Sequence, residues 1–190
     1  VVDVTSIGVS VGIVAAGAMD AQSTVGGSTG AYIGDYTDIG QVSSSYVNDI
    51  LIDASSALTV SNSTTAVSAG IGAGSENYSS AQVSPTVDAH ISSTDVLIDV
   101  TGAVDVNAEA TSNADASTFG VNAGAAAVGT SKSYASVKPV IQASAGGDIT
   151  AATLNISASH KLPATGYSAY AESTGSAGGL VGVDATKTEV

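Results

Sequence analysis

Apolar and polar residues alternate along this chain with a period of two, and the alternation runs unusually far. Val121, Ala123, Ala125, Ala127, Gly129, Ser131, Ser133, Ala135, Val137, Pro139, Ile141 and Ala143 share one parity, while Asn122, Thr130, Lys132, Tyr134, Lys138 and Gln142 share the other. Period two puts the first set on a packed face and the second in water, as in a β-strand. An earlier stretch repeats the pattern, with Val67, Ala69, Ile71, Ala73, Ala81, Val83, Pro85, Val87, Ala89 and Ile91 expected inside and Glu76, Tyr78, Gln82, Ser84, Thr86, Asp88 and His90 outside. Val104, Val106, Ala108, Ala110, Ala114 and Ala116 form a third inward set. No stretch sustains a convincing i, i+3, i+4 pattern, so the chain reads as all-β. The inward set changes parity near Thr118, Phe119 and Gly120, which predicts a bulge or corner there. Polar breaks at Ser75-Glu76-Asn77 and Thr130-Ser131-Lys132 are expected to divide the alternation into strands of ordinary length.

The alternation itself recurs. Glycine-alanine segments at Ala69–Gly74 and Ala123–Gly129 each lead to a Val-x-Pro, with the same spacing from Gly70 to Pro85 (85 − 70 = 15) as from Gly124 to Pro139 (139 − 124 = 15). Anchor glycines Gly12, Gly70, Gly124 and Gly178 are 58, 54 and 54 residues apart. A second block, Asp49-Ile50-Leu51-Ile52-Asp53, recurs as Asp95-Val96-Leu97-Ile98-Asp99, with an echo at Asp148-Ile149-Thr150. One array therefore covers residues 1–190, with approximate repeats 1–48, 49–94, 95–147 and a partial 148–190. Repeats of this length point to a stacked or beaded architecture. Small inward residues at every second position suit closely approaching sheets stacked like upon like, so the expected fold is a parallel β-solenoid with repeats of about 54 residues. Tandem β-sandwich beads are the alternative, but they ordinarily need aromatic or Leu-rich inner faces.

Composition narrows function by exclusion. There is no Cys, so disulfides, thiolate metal sites and a thiol nucleophile are excluded. Four Lys+Arg against 17 Asp+Glu, a net charge of −13, cannot neutralise a phosphate backbone, so nucleic acid is not an expected partner. The longest apolar run, around Gly12–Met19, is too short to span a bilayer as a helix, so no membrane insertion is expected. Both ends fall in strand-like sequence, which suggests a piece of something longer.

Three strings, Ser176-Ala177-Gly178-Gly179-Leu180-Val181-Gly182-Val183, Ala31-Tyr32-Ile33-Gly34-Asp35 and Gly146-Gly147-Asp148-Ile149-Thr150-Ala151, resemble the repeats of very large bacterial exoproteins. These are the filamentous-haemagglutinin-like and leukotoxin-type filamentous adhesins. The resemblance implies a surface or secreted fibre of β-solenoid type. The copies depart from it at the turn, where Ala89-His90-Ile91-Ser92 and Gln142-Ala143-Ser144-Ala145 replace the Tyr-Ile-Gly form.

Candidate chemistry is sparse. Asp49 and Asp53, like Asp95 and Asp99, lie four apart, about 13 Å in a strand and too far for a glycosidase pair. With Asp35 and Asp38 they are the candidates for calcium, joined by backbone carbonyls from neighbouring repeats. His90 and His160 have no triad context, and Gly70–Gly74 lacks the Gly-Lys-Ser/Thr of a phosphate loop. No enzyme activity and no cofactor other than calcium is expected. Asn62, Asn77 and Asn155 begin Asn-x-Ser/Thr sequons and are glycosylation candidates. Tyr78 and Tyr134, outward and equivalent after a small local shift (eight residues after Gly70, ten after Gly124), are candidates for contact with glycans or a neighbouring fibre. The expected role is a structural segment of an extracellular or cell-surface filament, adhesin or sheath that associates with itself. A carbohydrate- or surface-binding stalk module is the alternative.

Overall fold

The computed structural model describes residues 1–40 and 46–190, and every regular element among them is a β-strand. In chain order these are β1 (Val2–Val11), β2 (Val14–Ile33), β3 (Asp38–Ile39), β4 (Ile50–Ala69), β5 (Gly72–Ile91), β6 (Leu97–Asp99), β7 (Ala103–Ala123), β8 (Ala126–Val137), β9 (Val140–Ala145), β10 (Asp148–Thr150), β11 (Thr153–Lys161), β12 (Ala169–Gly178) and β13 (Val181–Glu189). They form three parallel sheets, none closed on itself. The first has the order β1-β4-β7-β11, with β12 also on β7; the second has the order β13-β8-β5-β2, with β9 also on β5; the third is β10-β6-β3. The chain thus visits first, second and third sheet in turn and repeats the circuit, each pass lying beside the one before.

The pairing offset is what the glycine spacing predicts. Val2 pairs with Val60 (60 − 2 = 58), Ile50 with Val104 (104 − 50 = 54) and Gly72 with Ala126 (126 − 72 = 54). The fourth pass is shifted by one, because Ala126 pairs with Val181 (181 − 126 = 55), so Gly179 rather than Gly178 continues the glycine column. The column sits at the corner between the first and second sheets. A Cβ on Gly70 would strike the carbonyl oxygen of Gly12, one on Gly124 that of Gly70, and one on Gly179 that of Gly124. Only a residue with no side chain lets successive passes close at this corner.

The first and second sheets face each other, and the interior between them grades from apolar to polar. Where the third sheet closes the wide end, Ile52, Val87, Ile91, Val96, Ile98, Val104 and Val106 form an aliphatic cluster. Midway the filling thins to Val60, Ala81, Val83, Ala114, Ala116 and Ala135. Toward the glycine corner it becomes Asn62, Thr64, Ser68, Ser75, Asn77, Thr118, Asn122 and Ser131, all buried. The gap there is narrow enough for side chains of one sheet to reach the backbone of the other: Asn62 Nδ2 donates to Ser80 O at 2.5 Å and Ser68 Oγ to Gly74 O at 3.0 Å.

This grading corrects three expectations. The change of parity falls at the corner Ala123–Gly124–Ala125, not at Gly120. Along β7 the buried set stays even through Thr118, Gly120 and Asn122, and it turns odd only from Ala127. Val67, Ala69, Ile71, Val121, Ala123 and Ala125 therefore point outward, because the positions facing the partner sheet there are held by small and hydrogen-bonding residues. The polar breaks at Ser75-Glu76-Asn77 and Thr130-Ser131-Lys132 interrupt nothing: β5 and β8 run straight through them, with Ser75, Asn77 and Ser131 buried. The interruption of the second sheet lies instead between β8 and β9 at Lys138-Pro139, opposite Ser84-Pro85 in β5. Two prolines, each lacking an N–H, occupy one column, which concentrates the break in the ladder at one place.

Candidate functional site

The aspartates proposed for calcium do not converge. Asp49 precedes β4 and caps the start of β7, its Oδ1 accepting the Ala103 N–H at 2.7 Å while Asn48 Nδ2 donates to its Oδ2 at 2.6 Å. Asp53 lies on the outer face of β4. Of Asp95 and Asp99, read from sequence as the same block, the first precedes β6 of the third sheet and the second ends it, and Asp38 begins β3, paired with Leu97. Asp35 accepts a hydrogen bond from the Ser92 hydroxyl of the next pass. Among the described residues no group of three acidic or histidine side chains is placed to hold a metal. The two Asp-x-x-x-Asp blocks belong to different sheets, so their recurrence does not stack.

Two sequons also change meaning. Asn62 and Asn77 point inward and are buried, Asn62 bridging the sheets through Ser80 O and accepting from Ser23 Oγ at 2.9 Å. A glycan on either would have to lie inside the fold. Asn155 is exposed on β11, its Nδ2 donating to Asp105 Oδ1 at 2.7 Å on the neighbouring strand. Of the histidines, His90 stacks on Tyr32 with ring centroids 5.3 Å apart and shares a 2.6 Å contact with Asp88, and Ser144, its register partner on β9, lines the same shallow hollow. His160 is exposed on β11.

Tyr78 and Tyr134 share the outer face of the second sheet but not a column. Tyr78 pairs with Lys132, and Tyr134 with Ser80. They are diagonal neighbours around a shallow hollow of about 270 Å³ shared with Gln82, Lys132, Lys187 and Glu189.

A second group of tyrosines, which the periodicity did not single out, sits where the repeat is broken. β11 pairs with β7 at an offset of 50 (153 − 103) and β12 at 55 (169 − 114), so five extra residues lie between them. The connection is a loop over residues 162–168, standing against only residues 112–113 of β7. Gly166, at φ 83°, turns the chain and donates its N–H to Pro163 O at 2.9 Å. One side of the loop is pinned to the fold by Asn113 Nδ2, buried in β7, which donates to Thr165 Oγ1 at 3.0 Å. The Ala114 N–H, donating to Ser168 O at 2.8 Å, closes the other side. The loop sets Tyr167 against Tyr170 with ring centroids 5.1 Å apart. Both phenols donate to carboxylates, Tyr167 to Asp115 at 3.4 Å and Tyr170 to Glu172 at 2.9 Å. Partial burial pushes the Asp115 carboxyl above its ordinary range, and the Tyr167 hydrogen bond only partly offsets this. The two phenols are held up as well, Tyr167 by desolvation and then by Asp115, Tyr170 first by its bond to Glu172. With Ser61 and Ser117 they line a hollow of about 240 Å³ on the outer face of the first sheet. Aromatic faces beside hydroxyls and carboxylates are chemically suited to a sugar ring, which offers C–H groups to the rings and O–H donors to the acids.

Comparison with protein-family models, with curated proteins and with solved structures finds no match.

Proposed function

We propose that the chain is a structural segment of an extracellular filament, adhesin or sheath, built as a parallel β-solenoid whose coils are the successive passes through the three sheets. The observation carrying this reading is the open stack: among the described residues, β1 and β2 at one end and β11, β12 and β13 at the other each have one unpaired flank beside a strand paired in parallel register. Such flanks accept a further strand with the same ladder, so copies, or further repeats of a longer chain, add along the axis. No cysteine is present, so cohesion comes from strand addition and packing, with calcium or another divalent cation bridging acidic faces of neighbouring chains. The purified chain should form threads seen by electron microscopy, with a diffraction spacing of about 4.8 Å along the thread. Isolated particles at every concentration, or threads lacking that spacing, would defeat the reading; bundles that survive a chelator would remove the cation bridge alone.

A second reading, a carbohydrate-binding stalk, is favoured by the Tyr167–Tyr170 pair rather than by Tyr78 and Tyr134. It predicts glycan-array binding that Tyr167→Ala or Tyr170→Ala reduces at least about tenfold, a loss of about 1.4 kcal/mol, while Tyr78→Ala has no effect. Equal binding by all three variants would count against it.

A further inference from the structure

Among the described residues, every Asp, Glu and Lys on the strands of the first two sheets faces outward except one. Asp184 of β13 is in register with Gly129, which is buried on β8, so its side chain enters the space between the sheets near the glycine corner. A Cβ on Gly175, across the gap on β12, would strike Asp184 Oδ2, and one on Gly129 would stand 2.8 Å from Asp184 Oδ1. Glycines on two strands thus leave the room that the carboxylate fills. The carboxylate makes no hydrogen bond or ion pair with the described residues. Asn122 Nδ2 reaches the same point beside Gly129 and is itself without a partner. No other titratable side chain faces Asp184 from β7, β8 or β12, and Lys187 and Glu189, further along β13, point outward and pair with each other.

Asp184 is only partly buried, because β12 and β13 form an open flank through which water reaches it. The filament reading places the first pass of a second copy on that flank. β1 and β12 are each 10 residues long, and continuing the register sets β1 on β12 and the start of β2 on β13. The column Gly8, Ala66, Gly120, Gly175 then brings Gly8 of the second copy over Gly175. The column Gly17, Ser75, Gly129, Asp184 brings Gly17 over the acid itself. Met19 leans across to Gly8, whose Cβ would stand 2.7 Å from Met19 Sδ, so the cover over Asp184 is two glycines and a thioether. No side-chain donor comes with it. Shutting a carboxylate away from water without a partner is heavily disfavoured, whereas the neutral acid, or an amide of the same shape, is tolerated.

We infer that Asp184 is a proton-operated gate on end-to-end joining: ionised, it holds a second copy off the fourth pass, and protonated, it lets the first pass of that copy close over it. The inference rests on the filament reading and adds the condition under which the filament grows. Each joint takes up one proton, so the joined state binds more protons than the separate chains. Joining therefore strengthens as pH falls and weakens as it rises, by up to about tenfold per pH unit. Repulsion between two acidic chains changes in the same direction, but it follows net charge and is indifferent to which carboxylate is removed.

The test is the lowest concentration at which threads form, read by sedimentation and electron microscopy in the presence of a chelator. It compares wild type, Asp184→Asn, Asp184→Ala and Glu189→Gln, the last removing the same charge from the outer face of the same strand. At about pH 7.5 both Asp184 variants should form threads at a concentration at least about tenfold lower than wild type and Glu189→Gln, and the gap should narrow as pH falls to about 5. Far-UV circular dichroism should be the same for all four. Equal thresholds for wild type and the Asp184 variants at both pH values would overturn the gate and spare the filament reading. A Glu189→Gln threshold as low as that of Asp184→Asn would also overturn it, since net charge would then be the cause. No threads from any of the four would overturn the filament reading, and the gate with it.

Discussion

Replacing Gly70 or Gly124 by alanine should unfold the stack from its corner, whereas the same change at Gly12 should not. A Cβ at position 70 would lie on the carbonyl oxygen of Gly12 and 3.1 Å from Gly72 O, and one at position 124 on the carbonyl of Gly70 and 3.2 Å from Ile71 O. Relief requires neighbouring passes to separate at the corner. At position 70 that breaks the Gly12 N–H bond to Ala69 O (3.1 Å) and the Gly72 N–H bond to Ile13 O (3.0 Å). Two such bonds are worth about 0.5–1.5 kcal/mol each, and overpacking adds about 1–3, for a loss of about 3 kcal/mol. In a chain of this size that lowers Tm by about 6–12 °C. Gly12 has no pass beneath it in the 190-residue chain, and its nearest contact would be 3.2 Å from Val14 O within its own pass. Gly12→Ala should therefore stay within about 1 kcal/mol of wild type, leaning toward stabilisation through the unfolded state. The chain has no Trp, so the melts are followed by far-UV circular dichroism. If Gly70→Ala melts within about 2 °C of Gly12→Ala, the reasoning from corner stacking is refuted.

Two further substitutions test the interior and the tyrosine hollow. Asn62 and Asn122 are equally buried, but Asn62 joins the sheets by hydrogen bonds whereas neither amide atom of Asn122 has a partner among the described residues. Asn62→Ala should cost about 2–3 kcal/mol and Asn122→Ala less than about 1, measured by urea denaturation; equal costs would show that the Asn122 amide is satisfied after all. Asp115 has a folded pKa raised chiefly by desolvation, so its contribution favours the fold below its ordinary pKa near 3.8 and is lost as pH rises through the raised value. Asp115→Asn should accordingly stabilise the chain at pH 7 and lose that advantage at pH 3, and a gain that grows on acidification would contradict the assignment.

The sequence carried the strand class and the length of a pass, because both follow from strong local constraints. Period-two alternation admits no helix, and the glycine spacing recurs because a Cβ at the corner would strike the pass below. Which face was inside near that corner was not legible. Alternation identifies two faces, and choosing the apolar one as interior fails where Ser68, Asn77 and Asn122 fill a gap narrow enough for side chains to reach the opposite backbone. The same error hid the exposure of Ile71, Phe119 and Val128. The aspartate blocks misled because a similar string begins β4 in one sheet and spans β6 in another. The Tyr167–Tyr170 hollow did leave a signal: Pro163 and Gly166 stand in a five-residue excess of the fourth repeat, a break that alignment against residues 112–113 would have located.

The central claim, that successive passes stack in parallel, with β4 and β7 in register at an offset of 54 residues (104 − 50), is tested most directly by paired cysteines in a chain that otherwise has none. Thr65 and Phe119 are register partners on adjacent strands, both facing outward, whereas Thr65 and Val121 are diagonal neighbours. Adjacent strands stand about 4.8 Å apart, within disulfide reach, while the diagonal is about 8 Å and beyond it. Mild oxidation followed by mass spectrometry should show an intramolecular disulfide in the Thr65→Cys/Phe119→Cys chain and free thiols in the Thr65→Cys/Val121→Cys chain. Equal oxidation of both pairs, or of neither, would contradict the register and the stacked fold with it.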